Sequence, residues 1–380
     1  MNPAILLLSI SLATWGIGEG LFLIFQPFYL TELGADPIKI GFILGAAGIA
    51  MTITHTPAGY ISDRFGSRPM LITSWISGLV ATAIMAFSTT LNAFTVGLLL
   101  YSMTAFVSSP LSSYTTSARG SMSVTRSVTF ISASFNAGTI LGATLGGWIS
   151  ETYELRAIYF VAFGLFIIST LLIFFLPSQP IHPRPAGESS RSILQNRPYF
   201  TFLFASVFLL FFSQLSDPFN AKFLQEFRGV TYQQIGYLGS MTGIGRTSML
   251  FILGSLPPRT GALLGLLAVA LFDFLILKFI SLPIYYGAMF LSGGLRTTKV
   301  ILVSMLRPYV RQSNVGLAYG IAETFYGSTL IFAPILAGYL YDRNPEMIYI
   351  TAILGILIAA IIFFPLVGKL KTPIFEEENT

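Results

Sequence analysis

Long, nearly uncharged apolar stretches alternate with short polar connections from one end of the chain to the other. Twelve stretches can be delimited, at 4–28, 39–61, 70–88, 93–115, 127–149, 156–176, 199–223, 233–255, 261–280, 282–305, 315–340 and 346–367. Each is close to the ~20 residues that an α-helix needs to cross a bilayer. Charged residues make up 10% of the chain, against roughly 25% in soluble domains. The sequence therefore predicts an all-α integral membrane protein with twelve transmembrane helices.

Basic residues in the connections predict the orientation. An even number of spans places both termini on one side, where the connections carry twelve Lys and Arg residues against six on the other side. Because cytoplasmic loops hold the excess of basic residues, we expect both termini of this multi-pass protein in the cytoplasm, at the cell (plasma or inner) membrane. The first span lacks a basic leader and an A-x-A site, so a cleavable signal peptide is not expected.

Composition argues against several function classes. The chain has no cysteine and two histidines, which disfavours disulfides and metal chemistry. It lacks a P-loop and a G-x-G-x-x-G phosphate loop, so nucleotide-driven pumping is not expected. The net charge of +5 comes from short loops and does not indicate nucleic-acid binding. We expect neither an enzyme nor a cofactor.

The longest polar break, PSQPIHPRPAGESSRSILQNRP, divides the spans six and six. We therefore expect an N-terminal six-helix bundle at 1–176, a cytoplasmic linker at 177–198, and a C-terminal six-helix bundle with a short tail at 199–380.

An internal repeat supports two halves. IGFILGAAGIAM at 40–51 matches IGYLGSMTGIGR at 235–246, at an offset of 195 residues. Upstream, FYLTEL at 28–33 resembles KFLQEF at 222–227, with one residue inserted after it in the second half. A shared register across a span and its flanking loop indicates duplicated halves.

The connection between the second and third spans reads GYISDRFGSR at 59–68. This G-x-x-x-D-R-x-G-x-R pattern resembles the signature loop of the major facilitator superfamily, and the resemblance extends over nearly the whole chain. It implies two parallel, pseudo-symmetric six-helix bundles with a substrate site near the midplane. It also implies that the first, fourth, seventh and tenth spans line the central path most closely.

The resemblance implies that this loop latches the two halves on the cytoplasmic side. Gly59 and Gly66 lack a Cβ, so helices can approach closely and the turn can adopt positive φ. Asp63 can cap a neighbouring helix N-terminus. Arg64 and Arg68 can form bidentate contacts with carboxylates. The alternative is that these charges only determine topology.

The fifth span contains GTILGATLGG, in which Gly138, Gly142 and Gly146 fall on one helical face and suit close packing against another span. With Gly147, the spacing resembles the fifth-helix motif of antiporters in the superfamily, except that Ala143 stands where that motif normally has Pro. A generic packing stripe is the alternative.

Seven ionisable residues lie too far inside the predicted spans to be placed in loops: Glu19, Asp217, Arg246, Asp273, Arg296, Lys299 and Glu323. Each costs at least ~2.5 kcal/mol near the bilayer centre if it faces lipid, so each should face a cavity or a partner.

Glu19 lies deep in the first span, and Gln26 follows two turns later on the same face. Burial disfavours the charged form of a lone carboxylate and lets it exchange protons near neutral pH. Proton-coupled exporters of the superfamily often carry an acid in this helix, so Glu19 resembles a coupling residue. The alternative is a structural partner for a cation such as Arg246.

The seventh span carries Gln214, Asp217 and Asn220 around Pro218, which should kink the helix. Asp217 is either a second proton site or one side of an outer salt bridge. Asp273, on the ninth and peripheral span, is expected to snorkel or to bond a neighbouring helix.

Two interpretations cover the remaining charges. Glu323 can pair with Arg296 or Lys299, or Arg246 and Arg296 can bind an anionic group of the substrate. A guanidinium suits both roles, since it grips carboxylate or phosphate and does not deprotonate. Further candidates for binding the substrate are Gln26, Gln214, Asn220 and Glu323, with Tyr101, Asn136 and Tyr326 as the wall of its cavity.

These features favour a secondary active transporter that moves a small organic solute by alternating access, as a proton-coupled exporter. The alternatives are an importer or exchanger of organic anions and a non-transporting membrane receptor or assembly protein. The expected partners are a small-molecule substrate, protons and the lipid bilayer, with the protein a monomer.

Overall fold

The structure is a computed structural model that describes residues 2–178, 196–310 and 315–370, without the side chains of 55–65, 109, 125 and 315–317. The described chain forms two compact units. The first combines the described part of Met1–Arg184 with Pro218–Gly243, and the second combines that of Pro185–Asp217 with Ile244–Thr380. These units differ from the two bundles and the linker that were predicted from the polar break and the repeat. The predicted limits of the bundles and the linker stay a prediction.

Sixteen α-helices occur in the described residues. They are α1 (Pro3–Leu23), α2 (Gln26–Glu32), α3 (Pro37–Phe65), α4 (Ser67–Phe87), α5 (Leu91–Met103), α6 (Ser108–Ala118), α7 (Val124–Thr152), α8 (Leu155–Phe174), α9 (Arg197–Ser213), α10 (Asn220–Arg228), α11 (Tyr232–Gly254), α12 (Pro258–Lys278), α13 (Leu282–Leu291), α14 (Gly294–Met305), α15 (Val315–Arg343) and α16 (Met347–Lys369). Short 3₁₀ turns lie at Thr104–Val107, Asp217–Phe219 and Arg307–Tyr309.

All twelve predicted spans are helical, so the predicted helical fold class is confirmed. In the described part of the chain, eleven helical segments are long and apolar enough to cross a membrane. The eighth span, α11, is not among them. Its sequence contains two glutamines, one arginine and five glycines, which lower its mean hydropathy.

Four spans are built from two helical pieces each. The first breaks at Ile24 and Phe25, the fourth at Thr104–Val107, the seventh between Ser213 and Asn220, and the tenth at Ser292 and Gly293. Proline lies at the start of the second piece of the first span and within the 3₁₀ turn of the seventh, where it removes a backbone donor. The other eight spans are single helices in the described residues. The broken spans are those that the family resemblance places around the central path.

The two halves begin with the same capping arrangement. Asn2 caps α1 by accepting from the Ala4 amide, and its Nδ2 donates to the carbonyl of Ala118 at the end of α6. Asn196 caps α9 in the same way, and its Nδ2 donates to the carbonyl of Tyr309. In each half, therefore, the residue that caps the first span also forms a hydrogen bond with the end of the fourth span. In the second half these are the seventh and tenth spans of the chain. This agreement supports the internal repeat read from the sequence.

Candidate functional site

Glu19 and Tyr101 form one hydrogen-bonded pair in the first unit. Glu19 is half-buried in α1, and its Oε2 accepts from the hydroxyl of Tyr101 in α5 across 2.6 Å. Tyr101 is buried. The sequence placed these residues separately, one as a proton site and one as cavity wall. A phenol that donates to a carboxyl oxygen can do so whether the carboxyl is ionised or protonated, because either form keeps acceptor capacity.

Stacked aromatic rings hold this pair in place. Phe166 of α8 stacks on Trp15 of α1 with ring centroids 4.0 Å apart, and its ring is nearly parallel to Tyr101 at 6.0 Å. Gly18 leaves the space that the Phe166 ring fills, and Gly78 in α4 leaves the space for Trp15. Because close packing restricts rotamers, the Tyr101 hydroxyl is positioned before any substrate arrives.

A buried hydrogen-bond network underlies the aromatic stack, and the sequence analysis missed it. Trp75 Nε1 donates to Ser169 Oγ at 2.8 Å and lies 3.1 Å from Ser11 Oγ, while Ser169 Oγ donates to the Ser11 carbonyl. The ring of Trp75 lies 5.1 Å from that of Trp15. The network joins α1, α4 and α8. Its sequence signal was a tryptophan inside a span, since a buried indole N–H needs an acceptor.

Gln26 and Asn136 are separated from this pair. The predicted placement of Gln26 on the same face as Glu19 is wrong, because α1 ends at Leu23 and a new helix starts at Gln26, just before Pro27. Gln26 is buried at the start of α2, whereas Asn136 is exposed on α7.

Glycines bring α1 and α7 into backbone contact. A Cβ at Gly138, Gly142 or Gly146 would overlap backbone atoms of α1. The contact is reciprocal, since a Cβ at Gly16 or Gly20 would overlap backbone atoms of α7. This surface, the α1–α7 glycine seam, fixes the helix that carries Glu19 against the fifth span.

A second face of α7 packs on α11. A Cβ at Gly147 would lie 2.9 Å from the Cα of Gly236, and Gly239 lies against Ala143. Ser240 Oγ donates to the carbonyl of Ile140, also in α7. The glycine motif of the fifth span therefore serves close packing against two neighbours. Its resemblance to the antiporter motif stays a prediction.

Lys222 is a buried cation that was not among the charges expected inside the spans. It lies in α10 with its side chain 4% exposed, and its Nζ donates to Thr31 Oγ1 at 2.9 Å and to Glu226 at 2.5 Å. The match of KFLQEF to FYLTEL was the available signal, because it aligned Lys222 with the residues that form α2 in the first half.

A carboxylate caps the eighth span. Glu151, at the end of α7, accepts from the amides of Tyr232 and Gln233 at the start of α11, at 2.9 and 3.4 Å. An acid at a helix N-terminus satisfies free N–H groups and interacts favourably with the helix dipole.

The signature loop is described in part. Gly59 and the side chains of Asp63 and Arg64 lie in the segment 55–65, which is not described beyond its helical backbone. The latch therefore stays a prediction. Gly66 has φ of 87° at the N-cap of α4, a conformation that glycine adopts readily. Arg68 donates to the carbonyls of Leu176 and Phe174 at the end of α8, at 2.5 and 3.1 Å. Arg68 thus contacts a helix C-terminus, which favours a cation, rather than the carboxylate expected from the sequence.

The polar residues of the seventh span lie at its break. Gln214 follows the end of α9, and its Oε1 accepts from Thr329 Oγ1 of α15 at 2.8 Å. Asp217 is exposed at the start of the 3₁₀ turn, as expected for a kink at Pro218. Asn220 is buried at the first position of α10, and its Oδ1 has no hydrogen-bond partner among the described residues.

In the described part of the second unit, two of the charges predicted inside spans form an ion pair. Lys299 Nζ lies 2.8 Å from Glu323 Oε2, with both side chains at least a third exposed. Arg296 is exposed on the same helix, α14. Arg246 is half-buried in α11 and makes no hydrogen bond or ion pair with any described residue. A guanidinium without a protein partner is available to an anion.

Two further residues are placed differently from the sequence expectation. Asp273 is fully buried, so the predicted snorkelling is wrong, and neither carboxylate oxygen has a hydrogen-bond partner among the described residues. Tyr326 is 2% exposed in the apolar core of the second unit, so in this conformation its ring packs against protein.

Comparison with known proteins identifies the family. The family model described as Major Facilitator Superfamily matches residues 6–262 and 215–378. The chain belongs to this superfamily. It is a multi-pass membrane protein of a transporter family, as the signature loop and the repeat predicted.

Several relatives are named for drug resistance, and two of them show the extent of the similarity. A class B tetracycline resistance protein of Escherichia coli is 23% identical over 348 residues, which covers 86% of each chain. A class H tetracycline resistance protein of Pasteurella multocida is 26% identical over 47% of this chain, and the chain spans about half (46%) of that protein. Among solved structures, a mutant of the nucleoside transporter NupG matches with a TM-score of 0.84 and 17% identity, over 96% of this chain and 99% of that chain. That likeness concerns the fold alone.

Proposed function

We propose that this superfamily member is a proton-coupled exporter of a small organic solute. The observation that carries the proposal is the Glu19–Tyr101 bond, which holds a half-buried carboxyl in the first span beside stacked aromatic rings. The relatives named for tetracycline resistance support export as the direction.

Glu19 would take up a proton from one side of the membrane and release it to the other, while the solute moves the opposite way. Burial disfavours the anion, and the Tyr101 hydroxyl favours it by donating a hydrogen bond. The proposal requires Glu19 to reach both protonation states during the transport cycle. An amphipathic cation suits the same surroundings, because a carboxylate and aromatic faces both attract positive charge.

Reconstituted vesicles test the proposal. Tetracycline and ethidium are the probes, and their movement is followed with and without an imposed pH gradient. We expect Glu19→Gln to abolish transport driven by the gradient while exchange without a gradient continues. Glu346→Gln, which removes an exposed acid at the start of α16, is the matched control and should retain both activities. Gradient-driven transport at the wild-type rate in Glu19→Gln would rule out the coupling role.

A second candidate function rests on Arg246. Its guanidinium has no partner among the described residues, which favours an importer or exchanger of an organic anion. Small carboxylates would then raise the thermal stability of the purified protein, because a ligand that binds the native state stabilises it by mass action. Arg246→Gln should lose that shift, and Arg343→Gln, at the end of α15, should keep it. Stabilisation by lipophilic cations instead would favour the exporter.

The arrangement in the membrane completes the proposal. The chain would lie in the cell membrane as a monomer with both termini in the cytoplasm, as the excess of basic residues on that side indicates. The loop around Asp63 would latch the halves on the cytoplasmic side, and Asp217 would be the second proton site or a partner in an outer salt bridge.

A further inference from the structure

Asp273 is an isolated acid in the interior of the second unit. It lies in α12, it is 0% exposed, and both of its carboxylate oxygens lack a hydrogen-bond partner among the described residues. Beside it lies Ser216, whose hydroxyl is close but likewise makes no hydrogen bond there. Ser216 and its neighbour Asp217 belong to the break of the seventh span. The carboxyl therefore packs against the point where that span is interrupted.

No described cation contacts this carboxyl from the helices that pack most extensively against α12, which are α9, α13, α14 and α16. Helix α11, which carries Arg246, meets α12 at Gly261, twelve residues before Asp273. Helix α13 carries no charged residue. The cations of α14, Arg296 and Lys299, follow Gly294, which meets α12 at Gly265. Gly265 lies eight residues before Asp273, or about 12 Å along the helix. The basic residues of the other two described helices lie at their far ends.

The other described titratable groups on α12, α13 and α16 do not supply a positive charge beside Asp273. Lys278 follows on α12 itself, but it is exposed, and a spacing of five residues places it on another side of the helix. Tyr285 of α13 and Tyr349 of α16 are phenols, which are neutral near pH 7. Asp217, next to Ser216 in the break of the seventh span, is an acid and supplies no positive charge either.

We propose that Asp273 is a proton-binding residue, which holds a proton in this conformation and releases it when the break of the seventh span moves and admits water. An ionised carboxylate with no cation beside it and no hydrogen bond among the described residues is far more costly in the interior than the neutral acid. The exposed Asp217 is positioned to pass the proton between Asp273 and water. The role in transport rests on the proposed proton coupling, but proton binding is measured without any substrate.

Infrared spectroscopy of the purified full-length protein tests the proposal directly. The chain has five aspartates, so ¹³C-labelled aspartate separates their carboxyl bands from those of the glutamates. We expect a protonated aspartate band at neutral pH in the wild type, where an ordinary aspartate with a pKa of about 3.9 is fully ionised. The band should be absent from Asp273→Asn and present in Asp36→Asn, which removes an exposed acid paired with Lys39.

Each other outcome has a defined meaning. If the wild type shows no protonated aspartate at neutral pH, the proposal is overturned. A band that survives in Asp273→Asn belongs to another aspartate and also overturns it. Loss of the band when sodium replaces potassium would indicate a metal-cation site instead. If Asp273→Asn does not fold, the band must persist in the single Asn variants at 36, 63, 217 and 342, since those leave Asp273 as its source.

Thermal unfolding gives an independent readout. A proton held in the folded state and released on unfolding makes stability fall as pH rises above the unfolded pKa. The melting temperature of the wild type should therefore fall between mildly acidic and mildly basic pH, and Asp273→Asn should flatten that fall. Failure of this result would leave the Glu19 transport experiment untouched, so the two proposals fail separately.

Discussion

The two units treat their intramembrane charges in opposite ways. In the first unit, Glu19 has a hydrogen-bond donor and lies in a closely packed group of aromatic rings and glycines. In the second unit, neither Arg246 nor Asp273 has a hydrogen-bond or ion-pair partner among the described residues. Lys299 and Glu323 form an ion pair at an exposed position. The contrast is between a carboxyl whose hydrogen-bond donor is held in place by packing and two charged residues without a described partner, which we propose bind a ligand or a proton.

The largest expected effect breaks the close packing of the first unit. Gly142→Ala should destabilise the protein by about 3 kcal/mol, the upper end for overpacking, because the added Cβ meets backbone atoms of α1 that cannot turn away. Thermal unfolding of the detergent-solubilised protein measures this. Gly164→Ala is the control, since a Cβ there meets no atom within 4 Å. Equal melting temperatures for the two variants would show that the seam is not tightly packed.

Removing one hydroxyl from each unit sharpens the comparison. Tyr101→Phe should cost about 1.5 kcal/mol, a typical value for a hydrogen bond to a charged group. Tyr326→Phe should cost almost nothing, because the Tyr326 hydroxyl has no hydrogen-bond partner in the described chain; Ser206 beside it donates to the Phe202 carbonyl. Paired unfolding curves measure both. Similar losses in the two variants would contradict the distinction between the units.

The exposed ion pair of the second unit should contribute less. A double-mutant cycle with Lys299→Ala and Glu323→Ala should give a coupling energy of about 0.5 kcal/mol, because solvent screens a pair whose side chains are 36% and 55% exposed. A coupling several times larger would mean that the pair is shielded from water in the membrane. It would then resemble the Glu19–Tyr101 pair.

The smallest effect concerns a carboxyl at the edge of the first unit. Burial and the charge of Glu154 raise the pKa of Glu32, at the end of α2, above its ordinary 4.5. The folded state therefore binds this proton more tightly than the unfolded chain does. Its contribution to stability is full below pH 4.5 and is lost as the pH rises through the folded pKa. Glu32→Gln should remove this slight decline in melting temperature, and a decline of unchanged size would assign it to other groups.

The sequence predicted most of the fold and less of the site. Apolar stretches and the repeat placed all twelve helices, because burial in a bilayer demands long uncharged runs. The break at Pro218 was readable because proline removes a backbone donor. The break before Gln26 had the same signal in Pro27, but it was not predicted, and the prediction that Gln26 shares a face with Glu19 was wrong for that reason.

Pairing inside the bundle depends on tertiary geometry that one-dimensional spacing does not encode. The Glu19–Tyr101 bond joins residues 82 positions apart, and the sequence offered both without linking them. Lys222 was not among the charges expected inside the spans because it lies next to the predicted end of one, at residue 223. The isolation of Asp273 could not be foreseen, since it depends on which side chains its neighbours turn toward it.

The α1–α7 glycine seam provides a fixed reference distance within the protein. Backbones in direct contact cannot slide without collision, so a probe attached to either helix reports on the other. The natural chain contains no cysteine, and single cysteines can therefore be introduced and spin-labelled without altering any native thiol. A label pair on α1 and α7 should keep one narrow distance distribution under every condition of pH and ligand. If a label on another helix changes its distance to either of these two labels, the movement can then be assigned to that other helix.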